Sequence, residues 1–289
     1  MGNMNRGWTK GTVIIAVVVV CLTAAVFVTN HFWKAASGKA GQPKVALAAE
    51  KKEDAVLKDK KDTKHDQQML LKQPQNQPGQ PAGQPANGGK VVYLTFDDGP
   101  EAFSGDIINL LEKYHFKATF FMLAPNIEKY PQSAKLMAQY GEGLGLHGVT
   151  HDVHKFYASA NSVVGEMSQD QKTLQQVTGV QTFLIRTPYG SVPYMTPEYR
   201  KAVDEHGFLM WDWNIDSKDW QYKDGRYVTN VIDQLSKMAN HNGPIVILMH
   251  EQKTTLAHLP QLLDYLAKQG YQCPPLDAAI PAYHFSYHK

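Results

Sequence analysis

The chain has 289 residues, room for one large domain or two small ones. Its formal charge of +2 is uneven: residues 1–90 hold 13 Lys and Arg against 6 Asp and Glu, leaving 16 basic and 21 acidic residues in 91–289. The later part is therefore near −5, which removes the electrostatic footprint that nucleic-acid binding requires. Cys21 lies in an apolar run and Cys273 near the far end, so no intramolecular disulfide is expected.

Residues 11–29 form an uncharged, mostly apolar run preceded by Arg6 and Lys10. Its 19 residues are long enough to cross a hydrocarbon core of about 30 Å. Residues 1–34 are thus expected to be a cytoplasmic tip and a transmembrane signal-anchor, with the polar remainder outside the cell. A cleaved signal peptide is the rival, and would make the protein secreted. Residues 35–89 begin with lysines and acids and continue as repeated Gln-Pro and Gly-Gln-Pro units. Such a composition buries too little apolar surface to order itself, so a disordered linker is expected.

From residue 90 onward strand-like and helix-like segments alternate. Strands are expected over 91–96, 118–123, 144–147, 182–186, 208–213 and 245–249, with a short one around Tyr271. Helices are expected over 105–114, 131–140, 159–178, 197–206, 227–240 and 258–269. This β–α alternation predicts one folded domain over 90–289 of the α/β class, with parallel strands and outer helices. A short, irregular barrel of the (β/α)7 type is the expected form, and a doubly wound open sheet is the alternative.

In parallel α/β barrels the carboxyl ends of strands converge on one face, where sites are built. Five segments end strands there. Asp97 and Asp98 close a fully apolar strand before Gly99-Pro100 turns the chain, so one carboxylate can bind metal while the other takes a proton. His147 and His151 have metal-ligand spacing. With Asp98 they would form a two-histidine, one-carboxylate face suited to Zn²⁺, and also to Fe(II), Co²⁺ or Ni²⁺. His154 nearby reads as a surface or supporting residue. Arg186 can pair with a carboxylate, while Pro188 and Gly190 fix a tight backbone from which the Tyr189 N–H can face an oxyanion. The segment from Asp216 to Trp220 offers an acid, Asp219, and an indole wall. An apolar strand containing Leu248 ends in His250.

TFDDGP, H-x-x-x-H, R-x-P-Y-G, D-x-x-D-W and L-x-H, in that order, resemble the five motifs of the polysaccharide deacetylases, carbohydrate esterase family 4 or NodB-homology domains. The resemblance covers about residues 90–281 and is nearest to Gram-positive peptidoglycan N-acetylglucosamine deacetylases, which are often membrane-anchored. It implies metal-dependent hydrolysis of N-acetyl groups on peptidoglycan, with chitin-like oligomers or acetylated xylan as other substrates. It also implies that Asp98, His147 and His151 hold the metal, most readily zinc, with cobalt or nickel as substitutes. Asp97 would be the general base, held by Arg186, and Tyr189 would supply the oxyanion donor. His250 would be the general acid, tuned by Asp219. Trp220, Leu248, Tyr189 and Pro188 would line the substrate pocket.

One departure stands out. The family's second motif usually carries Ser or Thr after its first histidine, where this chain has Gly148, and Asp152 replaces a common proline. A looser loop and weaker metal binding are expected from that. Two other function classes fit part of the pattern: a non-catalytic wall-binding module, and a non-haem Fe(II) oxygenase, which leaves Asp97 and His250 without a role. Oligomeric state is left open, with a monomer as the default.

Overall fold

The computed structural model describes residues 90–286. The expected membrane segment 11–29 and linker 35–89 lie outside them. Among the described residues no helix is long and apolar enough to cross a membrane.

The chain opens with β1 (Lys90–Val91) and β2 (Tyr93–Gly99), then α1 (Ser104–Lys113), β3 (Ala118–Leu123), α2 (Ala124–Lys129), α3 (Pro131–Gln139) and β4 (Gly143–Gly148). It continues through α4 (Val153–Phe156), α5 (Ala160–Thr178), β5 (Leu184–Ile185), α6 (Pro197–Glu205) and β6 (Leu209–Met210). Next come β7 (Ile215–Asp216), α7 (Asp219–Tyr222), α8 (Arg226–Lys237), β8 (Val246–His250), α9 (Lys253–Lys268) and β9 (Tyr271–Gln272). Strands β2 to β8 make one parallel sheet in the order β6-β5-β4-β3-β2-β8-β7, while β1 pairs separately with β9.

Side-chain alternation along the strands explains the two cores. On the helix side, Leu94, Phe96, Phe120, Met122, Ile247 and Met249 pack with Ile107, Leu111, Met167 and Leu262, all buried. Phe96 stacks on Phe120 with ring centroids 5.3 Å apart. Each such aromatic or aliphatic side chain, fully buried, stabilises the fold by roughly 1.5–3 kcal/mol. The concave face carries Phe121, Leu184, Trp211 and Val246 instead. Glycines at 143 and 145 make room on that face, since a Cβ there would lie 2.4 Å from Thr119 Oγ1 and from Phe121 Cδ1 respectively.

Caps place the helices as the sequence implied. Ser159 Oγ accepts the Ser162 N–H (3.1 Å) to start α5, and Gly179, at φ 77°, ends it. Thr196 accepts from Tyr199 N–H (3.2 Å) ahead of Pro197 at the start of α6.

The irregular barrel is realised in part, as seven parallel strands left open on one side. The edge strands β6 and β7 are not paired with each other, and the parallel sheet is a half-barrel. The expected strand 208–213 shrinks to two residues. Beyond it the chain's final segment takes over the backbone groups: Asp212 N–H bonds Tyr283 O (2.9 Å), and Phe285 N–H bonds Asp212 Oδ2 (2.8 Å). The strand at Tyr271 is likewise no stave of the barrel but the partner of β1. Helix α9 starts at Lys253, ahead of the expected 258, and carries Pro260 inside it. That proline lacks the N–H that would reach the carbonyl of Leu256, so the sequence reads most simply as a helix starting there.

Candidate active site

The first acidic pair ends β2, and two irregularities decide where its carboxylates go. Along β2 and β3, Asp97 pairs with Phe121 and Gly99 with Met122, so Asp98 is the extra residue of a bulge. Along β3 and β4, Met122 pairs with Leu146 and Leu123 with Gly148, which makes His147 the extra residue of a second. Bulges re-aim a side chain out of the regular alternation, and here they bring Asp98 and His147 together. His147 Nε2 lies 3.5 Å from Asp98 Oδ1, and His151 Nε2 lies 3.4 Å from the same oxygen. The three ligand atoms are all within 4.8 Å of one another. His154 is exposed and outside this cluster.

The donor set fits a cation. His147 Nδ1 lies 2.7 Å from the carbonyl oxygen of Arg186, which can only accept, so Nδ1 carries a hydrogen, and in the neutral imidazole Nε2 would turn its lone pair toward Asp98. Asp98 Oδ1 is buried with no hydrogen-bond partner. An orphaned carboxylate oxygen facing an imidazole lone pair is repulsive without a positive charge between them, and two histidine nitrogens with one carboxylate suit a divalent transition metal. Burial, and then the neighbouring His147, pull the His151 imidazole below its ordinary pKa, against the upward pull of Asp98 and Asp97. A basic nitrogen without its proton is what a metal ligand requires.

Asp97 is built differently. It is 3% exposed, and its Oδ1 accepts from Arg186 Nη1 at 2.8 Å. Arg186, fully buried, also donates to Thr95 Oγ1 (2.7 Å) and to the carbonyls of Trp211 and Asp212 (both 3.3 Å). Its guanidinium lies 4.2 Å over the Phe121 ring. The other oxygen, Asp97 Oδ2, faces His147 Nε2 at 3.8 Å.

Strand register sets His250 beside this pair, because Asp97 on β2 is opposite His250 on β8. Asp219 holds it: His250 Nδ1 donates to Asp219 Oδ1 (2.8 Å), and the His250 N–H and Thr255 hydroxyl donate to Oδ2 (2.7 and 2.6 Å). Burial alone would lower the His250 pKa. The bond to Asp219 and the charges of Asp219, Asp97 and Asp98 outweigh it and push the imidazole up to about 9. Asp219 is affected in the opposite sense: burial raises its pKa, and the contacts from His250 and Thr255 more than reverse that.

Thr187, Pro188, Tyr189 and Gly190 form a turn in which the Gly190 N–H returns to Thr187 O at 3.0 Å. Tyr189 takes φ 64°, the positive value that the third place of a type II turn demands. Tyr157 OH donates to Pro188 O (2.6 Å). Since C=O and N–H point opposite ways across a trans peptide, the Tyr189 N–H is aimed away from Tyr157. The Tyr189 ring lies 4.7 Å from His151 and its hydroxyl donates to His151 O (3.1 Å). Leu248 is buried two residues before His250 on the same face of β8, and Trp220, 48% exposed, follows Asp219. Asp98, His151, Tyr189 and Lys218, next to Asp219, are four of the six non-glycine residues at positive φ among those described. Strained backbone of this kind gathers at functional sites.

A family model for polysaccharide deacetylases matches residues 84–211. A Bacillus subtilis relative assigned to the polysaccharide deacetylases, YheN, is 43% identical over 199 residues, 68% of this chain and 71% of its own. The chain belongs to the polysaccharide deacetylase family. A second relative of this deacetylase, a peptidoglycan-N-acetylglucosamine deacetylase from Bacillus cereus, is 36% identical over 191 residues, 63% of this chain and 68% of its own. The crystal structure of a polysaccharide deacetylase from Bacillus cereus aligns with a TM-score of 0.58 at 34% identity, covering 69% of this deacetylase and 94% of that chain.

Sequence reasoning missed several supports of the deacetylase site. Thr95 and Thr255 are bonded to Arg186 and Asp219 respectively. Asp212 accepts from Ser191 N–H (2.9 Å), at the end of the Tyr189 turn. Asp170 and Glu166 on α5 bond the segment between the two histidines. Asp170 did leave a signal, because it occupies a helix stripe shared with the buried residues Val163, Met167 and Leu174. Asp152, in place of proline, caps α4 by accepting from the N–H groups of His154 (2.9 Å) and Lys155 (3.1 Å). Gly148 sits at φ 97°, where a Cβ would be 3.0 Å from Phe156 Cε2, so a serine or threonine would be strained there.

Proposed function

We propose that this deacetylase removes the acetyl group from N-acetylglucosamine in peptidoglycan. In this reading Asp98, His147 and His151 hold a divalent cation, zinc by preference, with cobalt or nickel as substitutes. What carries the reading is one arrangement: Asp97 on Arg186 and His250 on Asp219 stand at paired positions of adjacent strands, next to the two-histidine, one-carboxylate cluster.

A bound cation supplies Lewis acidity to the acetamide carbonyl and brings the pKa of a bound water toward ~7. Asp97 takes the proton of the attacking water at Oδ2, while Arg186 fixes the carboxylate through Oδ1. The Tyr189 N–H donates to the developing oxyanion, and one such donor stabilises the transition state by roughly 3 kcal/mol. His250, with Nδ1 committed to Asp219, gives the departing amine a proton from Nε2. Its pKa of about 9 keeps that proton in place at neutral pH. Trp220, Leu248 and Pro188 wall the space for the acetyl methyl group.

We further propose that the apolar run 11–29 anchors the chain in the cell membrane and that the linker lets the catalytic part reach the wall. Acetate release from isolated wall tests the activity. Release that is lost in Asp97→Asn supports the reading, and no acetate from any N-acetylated glycan overturns it.

A further inference from the structure

The segment that carries both histidines presents four successive backbone amides, and all four donate to two carboxylates on one helix. The N–H groups of His147 and Gly148 bond to Asp170 Oδ2, each at 2.9 Å. Those of Val149 and Thr150 bond to Glu166 Oε2, each at 2.9 Å, and the Thr150 hydroxyl bonds to Oε1 at 2.7 Å. Residues 166 and 170 are four apart on α5 and so share one face of the helix. Gly148 brings no side chain of its own to hold the segment, and at φ 97° a Cβ there would be strained and would press on Phe156 Cε2 (3.0 Å) and Glu166 Oε2 (3.3 Å). The bracing therefore comes chiefly from α5, beside one bond within the loop from the Asp152 N–H to Thr150 Oγ1 (3.3 Å).

We propose that Glu166, with Asp170 behind it, is a positioning residue for the metal ligands: the two carboxylates clamp the backbone from His147 to Thr150 and so fix how far His151 Nε2 stands from His147 Nε2. Asp170 is the buried half of the clamp and anchors the end of β4. Glu166 is the half-buried member and governs the two residues that lead directly into His151. Without Glu166, Val149 and Thr150 turn to water, His151 keeps its contact with Tyr189 but is held less firmly opposite Asp98, and the loss appears first in metal affinity.

This inference rests on the proposed metal site, and its test is read without substrate. The full chain is stripped of metal, and Zn²⁺ affinity is measured by competition with a chromophoric chelator for wild type, Glu166→Gln and Glu166→Ala. The expected result is a loss of about tenfold to a hundredfold for Glu166→Ala, the range typical of groups that orient metal ligands. Glu166→Gln falls between, because its carbonyl oxygen still accepts both amides without the charge. The metal-free melting temperature is expected to stay close to wild type in both variants, since the two amides lie at the loop surface. The Co²⁺-loaded forms should also differ from wild type in their visible spectra, which report ligand geometry. Wild-type affinity and an unchanged cobalt spectrum in Glu166→Ala would overturn the proposal. So would an affinity loss that merely follows a collapse of the metal-free fold, or a wild type that binds no divalent ion. If affinity falls as expected but no glycan yields acetate, the clamp stands and the functional reading fails.

Discussion

Replacing Arg186 with methionine tests how the site tolerates a buried charge pair. The side chain fills similar space but removes the donors to Asp97, Thr95 and the carbonyls of Trp211 and Asp212. Asp97, 3% exposed, is then a carboxylate without its cation. Breaking a buried pair from one side costs about 3–5 kcal/mol, mostly for the stranded charge. Asp97→Asn strands the guanidinium less severely, because Thr95 and two carbonyls still accept from it, and about 1–3 kcal/mol is expected. The double variant removes both charges. It should be more stable than the sum of the single effects predicts, by roughly 0.5–3 kcal/mol, the coupling usual for groups in contact. Urea unfolding of the four metal-free proteins measures this, and activity is absent in all three variants. Strict additivity of the two losses would refute the claim that Arg186 chiefly compensates Asp97.

Two pH effects follow from the buried groups. With His250 as the acid of the proposed mechanism, activity should fall as pH rises through its pKa, and Asp219→Asn, which removes the group holding that pKa up, should move the alkaline limb of the kcat profile to lower pH. An alkaline limb unmoved in that variant would count against His250 as the acid. Burial pushes the Glu142 pKa from 4.5 up to about 8 in the folded protein, against the pull of Ala118 N–H and Lys117. The unfolded chain gives up this proton near 4.5 and the folded one near 8, so rising pH favours unfolding across that window. Glu142→Gln should flatten the decline in melting temperature between those pH values, and an unchanged slope would show that Glu142 is not a source of it.

Much of the site was legible because five strand ends each leave a local signature: Asp97-Asp98, His147 with His151, Arg186 before Pro188, Asp219-Trp220, and His250. What pattern could not reveal was the direction of the side chains. Regular alternation would send Asp97 and Asp98 to opposite faces, and only the bulges at Asp98 and His147 bring the second carboxylate to the histidines. The open edge of the sheet was hidden for a related reason: β7, at two residues, leaves no periodic signal, the expected strands 182–186 and 208–213 shorten to two residues each in β5 and β6, and the gap beside β6 is filled by residues 283–285. The looseness expected of Gly148 came from weighing the loop alone. Its partners, Glu166 and Asp170, lie some twenty residues on, in a helix whose acids read as ordinary surface until one is seen among Val163, Met167 and Leu174. Pro260 misplaced the start of α9 because proline is far commoner in a first turn than within a helix.

The central claim, that the paired groups on β2 and β8 remove one acetyl group from a wall sugar, is tested most directly by mass spectrometry of muropeptides from isolated wall. Wall treated with wild type should lose the mass of one acetyl group, located on N-acetylglucosamine, while His250→Ala leaves the fragments unchanged. Unaltered fragments with fully metal-loaded wild type, or equal loss with His250→Ala, would contradict the account.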